Sequence, residues 1–138
     1  MLPTAIPGGS VPGCSGSVPF PPMSESPIFA KLYDLLRWLL PATTKYSREY
    51  RFGLALPTQE NAFLLQRHLV SAAKLQDARD SSDHLQQAEI ELTLLRYKVR
   101  LARDLELLRP GSYEHASRLI DEIGRLLGGW MKKQGIVS

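Results

Sequence analysis

Any chemistry in this chain has to come from arginine. Eleven of the 138 residues are arginine and six are lysine. Arg96, Arg100 and Arg103 stand at i, i+4 and i+7, which is one stripe of a helix. Arg118, Arg125 and Lys132 stand seven apart, as do Arg67 and Lys74, and Lys45, Arg48 and Arg51 form a cluster. A guanidinium fork meets two phosphate oxygens at once, and a row of forks can follow a nucleic-acid backbone. Tyr50, Tyr97 and Trp130 lie near these rows, and aromatic faces stack on unpaired bases. A second reading fits the same pattern. Glu89, Asp104, Glu106, Asp121 and Glu122 are interleaved with the basic residues, and Glu122 has helical spacing to both Arg118 and Arg125. Such rows also describe a plain solvated face. Trp130 falls on an apolar seam, which points to packing rather than stacking.

Other chemistries fail on residue type. The residues three before His68, His84 and His115 are Leu65, Ser81 and Ser112, so the Glu-x-x-His pairs of di-iron bundles are missing. The single cysteine, Cys14, excludes a disulfide framework and a multi-cysteine zinc site, and suits a reducing cytosol. The chain contains no G-x-x-x-x-G-K-[ST], no G-x-S-x-G and no H-E-x-x-H. No metal and no cofactor is implied. The Arg-x(4–6)-His spacing of HEPN-type ribonucleases occurs at Arg79/His84 and Arg109/His115. Eleven arginines and three histidines produce such spacings by chance, and each pair is expected to straddle a turn between helices. No apolar run reaches the roughly 18–20 residues of a membrane span.

Four helices are predicted to carry the basic rows. The first runs from Pro27, well placed at the first helical position, to about Tyr46, with Phe29, Leu32, Leu36 and Leu39 on one face and Pro41 as a kink or stop. The second runs from Arg48, capped by Ser47, to about Arg79. It draws apolar contacts from Phe52, Leu56, Phe63, Leu69, Ala72 and Ala73, with a kink near Pro57. The third starts among Asp80, Ser81, Ser82 and Asp83 and ends near Leu108, before Pro110-Gly111. Its Leu85, Ala88, Leu92, Leu95, Val99 and Ala102 step by three and four, the seam of a left-handed bundle. The fourth starts at Ser112, with Ala116, Leu119/Ile120, Ile123, Leu127 and Trp130 on its seam. Gly124 and Gly128 share one face there. Each mid-helix glycine costs about 1 kcal/mol, so a close neighbour, either a backbone or an aromatic ring, is expected beside them. The fold class that follows is all-α, an antiparallel four-helix bundle.

The chain divides unevenly. Residues 1–24 have no charged side chain, and 1–27 hold seven of the ten prolines and four of the ten glycines. Such a stretch does not fold alone, so 1–26 is read as a disordered tail, with Met23 as an alternative start. Residues 27–134 form the bundle domain and 135–138 a short tail. From residue 28 onward seventeen basic residues face thirteen acids, a net +4.

Three segments resemble one family. They are Leu94-Leu95-Arg96-Tyr97-Lys98-Val99-Arg100-Leu101-Ala102, then Tyr113-Glu114-His115-Ala116-Ser117-Arg118, then Glu122-Ile123-Gly124-Arg125-Leu126-Leu127-Gly128-Gly129-Trp130. With Pro27-Ile28-Phe29 and Tyr33-Asp34-Leu35-Leu36-Arg37-Trp38-Leu39-Leu40-Pro41, they look like the accessory variability determinant (Avd) proteins of diversity-generating retroelements, over about residues 24–134. The glycine-rich segment ending in Trp130 is the most specific, since a generic leucine-rich bundle has no reason to contain it. Gly53 and Pro57 depart from the family's plain second helix.

The resemblance implies a four-helix bundle assembled as a homopentameric barrel, without enzymatic activity and cytoplasmic. It implies partners, namely the retroelement's reverse transcriptase, its template RNA and the cDNA, in mutagenic retrohoming. The family's Leu-Arg-x-x-x-Arg falls on Arg96 and Arg100, which makes those two the leading contacts for polymerase or RNA. The family is also similar to bundle proteins encoded in intervening sequences of ribosomal RNA genes.

Overall fold

The computed structural model describes residues 26–136. The expected tail at 1–25 and the last two residues lie outside the described residues. Four helices form an up-and-down bundle: α1 (Pro27–Thr44), α2 (Leu56–Lys74), α3 (Ala78–Asp104) and α4 (Pro110–Lys133). A 3₁₀ turn (Arg48–Tyr50) and a π turn (Arg51–Ala55) join α1 to α2. Each helix packs on its neighbours in chain order, and α4 closes on α1. The most extensive pairing is α2 on α3. No strand occurs among the described residues.

The α3 seam is buried as its spacing demands. Leu85, Ala88, Leu92, Leu95, Val99 and Ala102 all lie in the core. Burying a leucine contributes roughly 1.5–3 kcal/mol. Ile28, Leu32, Leu35, Leu36 and Leu39 of α1 and Ala116, Leu119, Ile120, Ile123, Leu127 and Met131 of α4 complete that core. Trp130, expected on the seam, is only half-buried. Met131 takes the deep position, and Trp130 meets Phe29 edge-on with centroids 6.2 Å apart.

The predicted boundaries shift in several places. Pro41 lies inside α1 and does not stop it. The helix ends at Thr44, where Thr43 Oγ1 donates to the Leu39 and Leu40 carbonyls at 2.9 and 3.0 Å. Pro57 produces no kink, because it sits in the first turn of α2, where a missing N–H is harmless. The irregularity comes earlier, in the π turn. Leu54, Ala55, Ala62, Leu65, Leu69 and Ala72 are in the core, whereas Phe52, Leu56, Phe63 and Ala73 are exposed. The helix stops at Lys74 rather than Arg79.

Asp77 caps α3, accepting a hydrogen bond from the Arg79 backbone N–H at 2.8 Å. Ser81, expected among the caps, is buried inside the helix, and its hydroxyl donates to the Ala72 carbonyl at 3.0 Å. The C-terminus of α3 closes with Glu106 at φ 63° and a bond from Leu107 N–H to the Ala102 carbonyl at 2.8 Å. A left-handed residue there is ordinarily glycine. At the end of α4, Gly135 takes that role with φ 77°, and Ile136 N–H reaches the Met131 carbonyl at 2.9 Å. Residues 135 and 136 therefore continue the α4 cap.

Candidate nucleic-acid interface

The arginine row of α3 lies on its α4-facing flank. The Arg96 guanidinium is bonded to Asp121 of α4. A Cβ built on Gly124 would stand 2.9 Å from Arg96 Nη2. The close neighbour expected at Gly124 is thus a guanidinium, neither a backbone nor a ring. Gly128 has open space around it, with nothing within 4 Å of such a Cβ. Arg103 sits 4.4 Å from the centroid of the Tyr113 ring and donates to Asp104 at 2.9–3.0 Å. Arg96 and Arg100 line one cleft of about 380 Å³ with Tyr97, Tyr113 and Asp121.

The α4 row meets this region at one point. Arg125 shares a second cleft with Arg96, Asp121 and Gly124. Arg118, Arg125 and Lys132 are exposed on the face opposite the buried residues of α4. Glu122, which had helical spacing to Arg118 and Arg125, instead pairs with Lys31 of α1 at 3.5 Å. Arg67 and Lys74 stand apart on α2 and line none of the clefts formed by Arg96, Arg100 and Arg125.

Acids therefore take up part of the row's charge. An exposed ion pair adds only about 0–1 kcal/mol to stability, but it does fix where a guanidinium rests. Arg96 is held through one guanidinium nitrogen, in a cleft whose wall includes two tyrosine rings.

Three groupings were missed by the sequence reading, because each joins residues far apart in the chain. First, Arg37, Lys45 and Arg109 line a cleft of about 630 Å³ with Trp38 and Ser112. Second, Asn61 is buried and donates from Nδ2 to the Glu91 carbonyl and carboxylate at 3.0 and 2.6 Å, while Lys98 Nζ donates to its Oδ1 at 2.8 Å. Third, His68 of α2 and His84 of α3 bring their Nδ1 atoms to 3.0 Å, within hydrogen-bond distance. Burial, then the nearby His84, holds His68 below the ordinary histidine pKa, with Glu91 pulling the other way.

The ribonuclease spacing finds no pairing here. Arg79 and His84 both lie on α3, within one helix and not across a turn. His84 is committed to His68, and the His115 ring lies 5.4 Å from that of Trp38. Among the described residues, no group of three or more His, Cys, Asp or Glu side chains could hold a metal ion, and no helix is long and apolar enough to cross a membrane.

One outer face is apolar. Ile90, Leu94, Tyr97, Leu101 and Leu105 follow steps of four, three, four and four along α3 and onto its C-cap, and all are exposed, Tyr97 by 65%. Leu64 extends this surface on the α3-facing edge of α2, where Asn61 and His68 also lie. Comparison with known families adds one finding. A family model described as bAvd-like matches residues 27–134. No curated protein matches the chain.

Proposed function

The chain belongs to the bAvd-like family, and on that premise we propose that it is the non-catalytic accessory protein of a diversity-generating retroelement. In this reading it works in the cytoplasm and holds the reverse transcriptase and template RNA together during mutagenic cDNA synthesis. The observation that carries the reading is the family match across the whole bundle; the clefts around Arg96, Arg100 and Arg125 support them as the contact residues in this proposal. Arg103, Arg118 and Lys132 extend that surface, and Arg67 and Lys74 offer a second one on α2.

Assembly into a homopentamer belongs to the same proposal. The apolar row from Ile90 to Leu105 supports it, since an exposed heptad-like stripe is the kind of face that packs against another helix. A ring of five would also concentrate the net +4 of residues 28–138 into a field that attracts RNA at low salt.

Two experiments test this. Arg96→Ala with Arg100→Ala is expected to weaken recovery of reverse transcriptase or RNA in pull-downs and to leave helical content intact. Unchanged recovery rejects those contacts. Sedimentation is expected to give about five times the 15.4 kDa chain mass, and Leu94→Asp with Leu101→Asp is expected to return a monomer. A wild-type protein that remains monomeric at micromolar concentration rejects the assembly.

A further inference from the structure

One wide cleft lies away from the arginine rows. It lies between the C-terminal half of α1 and the α3–α4 connection, measures about 630 Å³, and is lined by Arg37, Trp38, Lys45, Arg109 and Ser112 among others, with no acidic residue in its wall. None of its three cations forms an ion pair among the described residues. Trp38 is half-buried and divides this cleft from a neighbouring one of about 350 Å³, where Arg37 and Trp38 meet His115 and Asp34. Asp34 is the only acid in the pair of clefts, and it makes no ion pair with Arg37.

We propose that this cleft binds a single unpaired nucleotide of an RNA strand. The backbone phosphates rest on Arg37, Lys45 and Arg109, and the base lies against the Trp38 indole from within this cleft, because the His115 ring already stands 5.4 Å from the indole on the neighbouring side. Three observations select this ligand. Three uncompensated cations in one cavity require an anion that carries more than one charge nearby, as adjacent phosphates do. A half-buried indole in the wall of this cleft, with the His115 ring against its other side, offers a contact that an unstacked base reaches and a duplex does not. The volume falls within the roughly 300–1,000 Å³ of small-ligand pockets. The inference shares with the proposed function only the premise that the chain handles RNA. It involves no residue of the Arg96 row.

The test uses the full chain carrying Trp130→Phe. The sequence has two tryptophans, so Trp38 becomes the sole indole reporter. The ligands are an adenine RNA decamer, the same decamer in a duplex, and AMP. Saturable quenching of Trp38 by the single strand is expected, with at least tenfold weaker binding of the duplex. Arg37→Ala/Lys45→Ala/Arg109→Ala should weaken decamer binding at least tenfold by filter retention, a readout that does not depend on the tryptophan substitution. It should also lower the salt slope by about two, at roughly 0.7 per phosphate for single strands. No quenching, equal quenching by the duplex, or an unaffected triple variant overturns the proposal. AMP that binds as tightly as the decamer overturns the RNA assignment in favour of a free nucleotide. Arg96→Ala/Arg100→Ala separates the two readings. Quenching that survives in this variant while pull-down is lost supports the cleft and the row as distinct sites. Quenching lost together with pull-down overturns the independent cleft.

Discussion

The α3 arginine row and the Trp38 cleft carry the same kinds of cation in different company. In the row, Arg96 is bonded to Asp121 and Arg103 to Asp104, and Asp121 sits in the wall of both clefts that Arg96 lines. In the Trp38 cleft, Arg37, Lys45 and Arg109 share a wall without an acid. Helical spacing locates charge, but the acids on the facing helix decide how much of it remains for a partner. A paired guanidinium is held in a fixed position for recognition. An unpaired one contributes its full field and is more sensitive to salt. The row therefore suits a shaped partner such as a protein surface, and the cleft suits a bare phosphate chain.

Reversing the cleft should have the largest effect on RNA binding. Arg37→Glu, Lys45→Glu and Arg109→Glu together are expected to cost about 100-fold in affinity for single-stranded RNA at low salt, measured by filter retention. Arg96→Ala with Arg100→Ala should cost about tenfold or less in the same assay. A larger loss from the row than from the cleft would invert the comparison.

Stability variants sharpen the contrast by moving the fold without the charge. Glu106→Gly relieves a left-handed residue where α3 turns toward the cleft wall. It should raise unfolding free energy by about 1 kcal/mol, read by urea denaturation, and leave both binding surfaces unchanged. Gly124→Ala and Gly128→Ala should each add about 0.5–1 kcal/mol from helix propensity. Only the first places a methyl against Arg96 Nη2, so only the first should alter reverse transcriptase recovery. Equal behaviour of the two would remove the Arg96 seat from the account.

Tyr46 and the histidine pair give the smallest effects. The Tyr46 hydroxyl is buried with no hydrogen-bond partner among the described residues, and burial pushes its pKa up to about 12. Tyr46→Phe should therefore be neutral or stabilising by up to about 1 kcal/mol. His68 titrates below the unfolded value, so the unfolded chain takes up its proton first as pH falls. The stability it contributes is full above the unfolded histidine pKa of about 6.5 and is lost as pH drops through the lowered value. His84 from α3, Glu91 and Arg67 are the charged groups that act on it. Melting temperature should decline on acidification below neutrality, and His68→Gln should flatten that decline.

Legibility followed the range of the interactions. The α3 seam was readable residue by residue because its six positions keep one strict period and meet a single core. Helix α2 was misread because Phe52, Leu56 and Phe63, apolar and helically spaced, form a stripe that points outward, while Ala62, Leu65 and Leu69 form the buried one. Hydrophobicity alone does not distinguish a core face from an exposed apolar one. The outer α3 row from Ile90 to Leu105 was overlooked for the same reason. The site residues were visible as rows, but their pairing was not. Arg96 meets Asp121 across 25 positions of sequence, and the Trp38 cleft joins the end of α1 to the start of α4. No local pattern encodes either juxtaposition.

The central claim is that this bundle joins a polymerase to its RNA, and a three-component recovery tests it most directly. Tagged reverse transcriptase is incubated with template RNA, with and without the protein, and the retained RNA is measured. The account predicts that wild-type protein raises RNA retention and that Arg96→Ala/Arg100→Ala, folded to the same helical content, does not. Retention that is the same with the wild-type protein as without it would contradict the account.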